Sequence, residues 1–178
     1  GSIHIARSKF LQNGSLHELI ILTNYGVESY EIEVALSYRG DFRDIFEVRG
    51  MDRKKRGEVI EPEILDNHII RLSYKGLDNI QREAHMHFDP VPEQLQSNMA
   101  VFRIRLASQQ SYSIHCTALF TVHQNQYSFE PYTNAYSKRT SALQKGKELI
   151  PHIYTDNEQF NNWINRSASD LRSLLVQT

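Results

Sequence analysis

Period-two alternation of apolar and polar side chains is what most restricts this sequence. In Tyr30, Ile32, Val34, Leu36 and Tyr38 the apolar residues alternate with Glu31, Glu33, Ala35 and Ser37, the pattern of a strand with one dry face and one wet face. Phe102, Ile104 and Leu106 repeat it, which turns Arg103 and Arg105 to the opposite side, and Tyr112, Ile114, Cys116, Ala118, Phe120 and Val122 extend it further. Weaker versions run through Ile3–Phe10, Leu16–Leu22, Phe42–Val48, Ile69–Tyr74 and Ile80–Phe88. Turn signals separate these runs, with Asn13-Gly14 and Asn24-Tyr25-Gly26 reading as hairpins and Asp66-Asn67 and Gly76-Leu77-Asp78-Asn79 as further turns. No segment of helix length lies between the strands, so parallel crossovers are excluded as the economical solution. The expected fold is mainly all-β, an antiparallel β-sandwich of about eight or more strands with a C-terminal amphipathic α-helix.

The period changes towards the end of the chain. Phe160, Trp163, Ile164, Leu171, Leu174 and Leu175 fall on one face of a helix, and Thr155-Asp156-Asn157-Glu158 before it fits a capping box. The expected division is a β-sandwich domain at 3–125, a polar connection at 126–154 with a short helix around Ser141–Lys147, and a helix at 155–178 leading towards a further domain. Gly1-Ser2 looks like a residue pair left by cloning.

Composition removes several classes of function. Twenty basic against 21 acidic residues leave a net charge of −1, so no global field draws nucleic acid or anionic lipid, and neither is expected as a partner. The single cysteine, Cys116, excludes an internal disulfide and a cysteine-built zinc site, and alternation places it in the core. No apolar run approaches a membrane span.

Local constellations are weak as chemistry. His85-x-His87 lies on one face of a strand, but Ala84, Met86 and Phe88 take the apolar side, so both imidazoles are expected in solvent and no metal site is expected. Arg49–Glu58 is a basic run bracketed by glycines and reads as an exposed hairpin loop. Asp44 shares parity with Phe42, Phe46 and Val48, and Arg82 with Ala84, Met86 and Phe88. Two opposite charges on dry faces predict a buried Asp44–Arg82 ion pair. Glu47, Asp44, Glu61, Glu63 and Asp78 offer carboxylates without a catalytic context, and no nucleophile–base set, phosphate loop or dinucleotide motif is present. No catalytic residue and no cofactor is expected.

The segment Gly40-Asp41-Phe42-Arg43-Asp44-Ile45-Phe46-Glu47-Val48-Arg49-Gly50 is more specific. With Arg53–Gly57, Tyr74–Asp78, Arg82, Phe88-Asp89-Pro90 and Pro92, it resembles the N-terminal domain of bacterial glycogen debranching enzymes of the amylo-α-1,6-glucosidase type. Thr155-Asp156-Asn157, Phe160-Asn161, Arg166-Ser167 and Asp170-Leu171-Arg172 look like that family's lead-in to its catalytic domain. Asp41, Phe42, Asp44, Phe46, Glu47, Arg49, Gly50 and Asp78 carry the motif, and Arg43 departs from it, since similar sequences carry a small residue there. The resemblance implies carbohydrate metabolism, a cytoplasmic location, and a sandwich ahead of an (α/α)6 barrel that holds the catalytic acids. The barrel is then the expected partner, met through Trp163, Arg166, Asp170 and Arg172. Two alternatives remain. In a stand-alone carbohydrate-binding module, Tyr127, Phe129, Tyr132 and Tyr136 would stack on an α-glucan. An adaptor would recruit a protein through Arg53–Arg56 or the terminal helix.

Overall fold

The computed structural model describes residues 2–122, 128–148 and 153–173, with the side chains of 146–148 and 172–173 left aside. The chain forms two units, Gly1–Tyr132 and Thr133–Thr178. The first unit is an antiparallel sandwich. Its larger sheet contains β1 (Ile3–Gln12), β2 (Ser15–Asn24), β4 (Glu58–Asp66), β5 (Ile69–Lys75), β6 (Gln81–Asp89) and β9 (Ser111–Val122), in the order β1-β2-β9-β6-β5-β4. Its smaller sheet is β3 (Tyr30–Ser37), β8 (Met99–Leu106) and the two-residue β7 (Gln94–Leu95), in the order β3-β8-β7.

The alternation decides which side chains meet. Ile20, Leu22, Ile70, Leu72, Phe88 and Ile114 face inward from the larger sheet, and Ala100, Phe102, Ile104 and Leu106 face them from β8. Arg103 points outward and lies opposite Glu33 of β3, 3.3 Å away, as its parity requires. Asn13 and Gly14 both have positive φ (46° and 73°) and form the two-residue turn of the β1–β2 hairpin.

Four local expectations are corrected. Asn24-Tyr25-Gly26 is a crossover and not a hairpin, since β2 pairs with β1 and β9 while β3 joins the other sheet. The Asn24 side chain is fully buried at this corner. Its Nδ2 donates to the carbonyls of Glu28 (2.7 Å), Ala107 (2.9 Å) and Leu106 (3.3 Å), and its Oδ1 accepts from Gly26 N–H (2.8 Å). Phe42–Val48 is not a strand, because Asp44 and Glu47 close a capping box over the short helix α1 (Ile45–Val48). The run 58–66, not anticipated as a strand, is the edge strand β4, whose pairing shifts register around Pro62.

The fourth correction concerns the outer face of the larger sheet. His85 and His87 are buried, not solvated. Phe129 stacks on His87 (centroids 4.2 Å apart, planes at 20°), and Phe10 stacks on the buried His17 of β2 (4.9 Å, 14°). On β6 the inner face is therefore covered by the smaller sheet, and on the outer face Phe129 covers His87.

The polar stretch forms α2 (Tyr132–Glu148), nearly all of it in the second unit and longer than the short helix expected around Ser141–Lys147, and α3 (Glu158–Ser173) follows. Asn157 caps α3 through Phe160 N–H (3.1 Å), while Asn161 ties back to Thr155 through both its amide atoms (Thr155 N–H 2.9 Å; Thr155 carbonyl 2.8 Å).

Candidate functional site

The motif segment and the β5–β6 turn meet around one open cleft of about 510 Å³, bordered by Phe42, Arg53, Arg56, Tyr74, Asp78 and Arg82 among others. Its geometry starts with Phe42, whose φ of 46° lies in the left-handed region, rare for a bulky residue. Such a conformation costs about 1–3 kcal/mol and persists only where the surroundings impose it. Here the Phe42 ring stacks on Tyr74 (5.4 Å, 12°) and packs on the core, while a side chain at Gly40 would bring its Cβ within 2.6 Å of that ring.

The next residues build a rigid loop. Asp44 Oδ1 accepts from Phe46 N–H (2.8 Å) and Glu47 N–H (2.9 Å), and Glu47 returns a bond to Asp44 N–H (3.1 Å). Two arginines three residues apart then pin the two acids, Arg53 on Asp44 and Arg56 on Glu47 (3.1 Å). Arg56 also lies over the Tyr74 ring at 6.0 Å, and Tyr74 Oη accepts from Gly57 N–H (2.8 Å). Gly50, at φ +95°, ends the short helix by donating to the Glu47 carbonyl (3.1 Å). Gly57 has no room for a side chain, because a Cβ there would collide with the Lys75 carbonyl. A Gly57→Ala variant is expected to lose about 2 kcal/mol or more, measured by urea unfolding.

The expected Asp44–Arg82 pair does not form. Asp44 is held by Arg53, and Arg82 by Asp78 (2.7 and 3.1 Å). The inward parity assumed for Asp44 belonged to a strand, whereas the helix leaves its side chain half-exposed. Of the motif residues, Phe42, Asp44, Glu47 and Asp78 border the cleft. Asp41 accepts from Arg43 N–H (3.2 Å), and Arg49 is exposed.

Two carboxylates of the cleft are held in their charged form. Asp44 sits below the ordinary carboxylate range, chiefly through the Glu47 N–H and then through Arg53, and Arg82 holds Asp78 down to about 2. Both are ionised at neutral pH. Among the described residues no group of three or more His, Cys, Asp or Glu side chains is placed to hold a metal.

What the loop displays is apolar. Ile45 (56%), Phe46 (53%), Val48 (67%) and Met51 (53%) all face solvent, close in sequence on a backbone that the Asp44–Glu47 and arginine contacts fix. This patch is absent from the parity reading, which had sent Phe46 and Val48 into a core. The signal that finds it is Asp-x-x-Glu across Asp44–Glu47, a helix start that overrides alternation.

Of the other expected contacts, Phe129 and Tyr132 lie on the outer face of the larger sheet, in the first unit. Tyr136 is exposed on α2 in the second unit, and Tyr127 lies outside the described residues. On α3, Phe160, Trp163 and Leu171 are exposed, and Arg166 pairs with Asp170 at 3.2 Å. Arg172, Leu174 and Leu175 have no described side chains.

Residues 1–117 match a family described as the N-terminal domain of (some) glycogen debranching enzymes. Among solved structures, a kojibiose phosphorylase-like protein from the human microbiome aligns over 96% of the chain at 12% identity, with a TM-score of 0.50. A polysaccharide lyase aligns over 82% at 14% identity with a TM-score of 0.39. The first shares the fold, and the chain spans only 21% and 22% of these two proteins. No curated protein matches.

Proposed function

The chain belongs to the family of N-terminal domains of (some) glycogen debranching enzymes, and on that premise we propose that it is a non-catalytic sandwich domain that docks on and supports the catalytic part of a larger glycoside hydrolase. The expected partner is an (α/α)6 barrel of the amylo-α-1,6-glucosidase type on the same polypeptide. The observation that carries this is the exposed Ile45–Phe46–Val48–Met51 patch on a loop fixed by the Asp44–Glu47 capping box. Rigid, solvent-facing apolar side chains gain little for a domain by itself and are what a protein interface buries. The exposed Phe160, Trp163 and Leu171 of α3 offer a second apolar surface for the same partner. No described helix is long and apolar enough to cross a membrane, and a cytoplasmic location for the parent enzyme belongs to this proposal.

A Phe46→Ser/Val48→Ser double variant tests the docking role. Both side chains are more than half exposed, so the thermal midpoint of the chain should be unchanged or slightly raised. Association with the separately expressed catalytic part of the parent enzyme should weaken by about tenfold or more, as loss of central interface residues does. Undiminished association would remove the loop from the interface. Release of glucose from limit dextrin by this chain alone would contradict the non-catalytic role.

A further inference from the structure

A second cavity, of about 300 Å³, opens on the outer face of the larger sheet and lies wholly within the first unit. Its floor follows from strand register. In the β6–β9 pair His87 lies opposite Thr117 and Asp89 opposite His115, so alternation brings all four to the side away from the core. His68, just before β5, flanks His87 with ring centroids 6.4 Å apart. Two aromatic rings close the other side. Phe129 stacks on His87 yet remains 43% exposed, and Tyr132 leans on His115 (4.9 Å, planes at 40°).

The contents of this cavity define what fits it. Flat apolar rings stand beside imidazoles, the hydroxyls of Tyr132 and Thr117 (the latter 3.1 Å from His17 Nδ1) and a single carboxylate, and imidazole and hydroxyl groups both donate and accept hydrogen bonds. Vicinal sugar hydroxyls have that same dual character, and the C–H face of a pyranose needs a flat apolar partner. An anion would meet the Asp89 carboxylate, which lies 3.6 Å from His115. No metal-binding group of three or more such side chains exists among the described residues. The volume stands at the lower end of small-ligand sites, room for one sugar ring. Burial pushes His87 down to about 4, with His68 and His85 adding to the shift, so its ring is an uncharged hydrogen-bonding partner at neutral pH.

We propose that the cavity between Phe129, Tyr132 and the His68–His87–His115 face binds a single pyranose ring, the exposed end of an α-glucan chain. The cavity supplies the pyranose, while the α-glucan rests on the family reading in the preceding subsection. The site is separate from the motif cleft and holds substrate without cleaving it.

Histidine side-chain NMR of the 178-residue chain, titrated with maltose at millimolar concentrations, tests the proposal. Saturable shifts are expected at His68, His87 and His115, with none at His4 on β1, and mannitol, an acyclic polyol, should leave all of them in place. Phe129→Ala should weaken maltose binding about tenfold, the scale of one ring-stacking contact. Should that variant fail to fold, His115→Gln at the rim should weaken it instead. No saturable maltose shift, or an equal response to mannitol, overturns the proposal and leaves the rings only pinning residues 128–132 onto the sheet. Saturation by methyl β-glucoside alone would keep the pyranose and reject the α-glucan. Failure of the Phe46/Val48 experiment would leave this outcome untouched, so the two readings fail separately.

Discussion

Replacing Asn24 with aspartate is expected to lower the unfolding free energy by about 4 kcal/mol, although side-chain volume is nearly unchanged. Asn24 is wholly buried where β2 leaves the larger sheet, and its amide donates to the carbonyls of Glu28, Leu106 and Ala107 while accepting from Gly26 N–H. A carboxylate keeps the acceptor but turns an oxygen towards three carbonyl oxygens. Even when protonated it offers one donor where the amide offered two. Asn24→Ala should be severe for the milder reason that buried carbonyls lose their partner. Thr23→Ala, one residue earlier on the same strand, loses a single exposed bond to Ser111 (2.9 Å) and should cost about 1 kcal/mol or less. Urea unfolding of the three variants checks the ranking. A mild Asn24→Asp would mean that the crossover is set by packing and not by these bonds.

Acid should weaken the domain before Asp44 and Asp78 take up protons. An unfolded histidine titrates near 6.5, whereas folding holds His87 at about 4, first through burial and then through His68 and His85. Between those values the unfolded chain binds more protons than the folded one, so stability rises with pH and is lost as pH falls from about 6.5 towards 4. The loss from His87 between pH 7 and pH 4.5 is about 2 kcal/mol. His17, also lowered by burial, acts in the same direction. Asp44 and Asp78 have depressed values, so what they contribute disappears only at lower pH, as protons reach the folded carboxylates. Chemical unfolding at pH 7 and pH 4.5 separates the two windows. In His87→Leu the stability difference between those pH values should shrink by about 2 kcal/mol, and an unchanged difference would show that His87 does not control this step.

The strands were legible where one face of a segment is dry and the other wet. Tyr30–Tyr38 and Phe102–Leu106 fall into place because Ile32, Val34, Phe102 and Ile104 meet across one core. Alternation failed in two physical situations. At Asp44 a side chain competes for backbone N–H groups, and a capping box forms a helix where parity predicted a strand. At His85 and His87 parity assigned the correct face, but a polar outward face implied solvent only while nothing covered it. For His87 that cover is Phe129, more than forty positions later in the chain, and no local window contains both residues. Glu58–Asp66 went unread because Pro62 interrupts it, a residue that an edge strand tolerates. The motif was legible as a signature, but its organisation around Arg53, Arg56 and Tyr74 is a product of the fold.

The place of β9 in the larger sheet has a consequence for how the protein is made. As the chain leaves the ribosome, β1 and β2 can pair as one hairpin and β4, β5 and β6 as a meander, but only β9, at 111–122, joins the two pieces. Until it emerges, β2 and β6 are both open edges on a nascent polypeptide, able to capture strands from neighbouring chains. Release of a chain ending before residue 111 would make that state permanent, so premature termination upstream of β9 should yield inclusion bodies and not a smaller soluble domain.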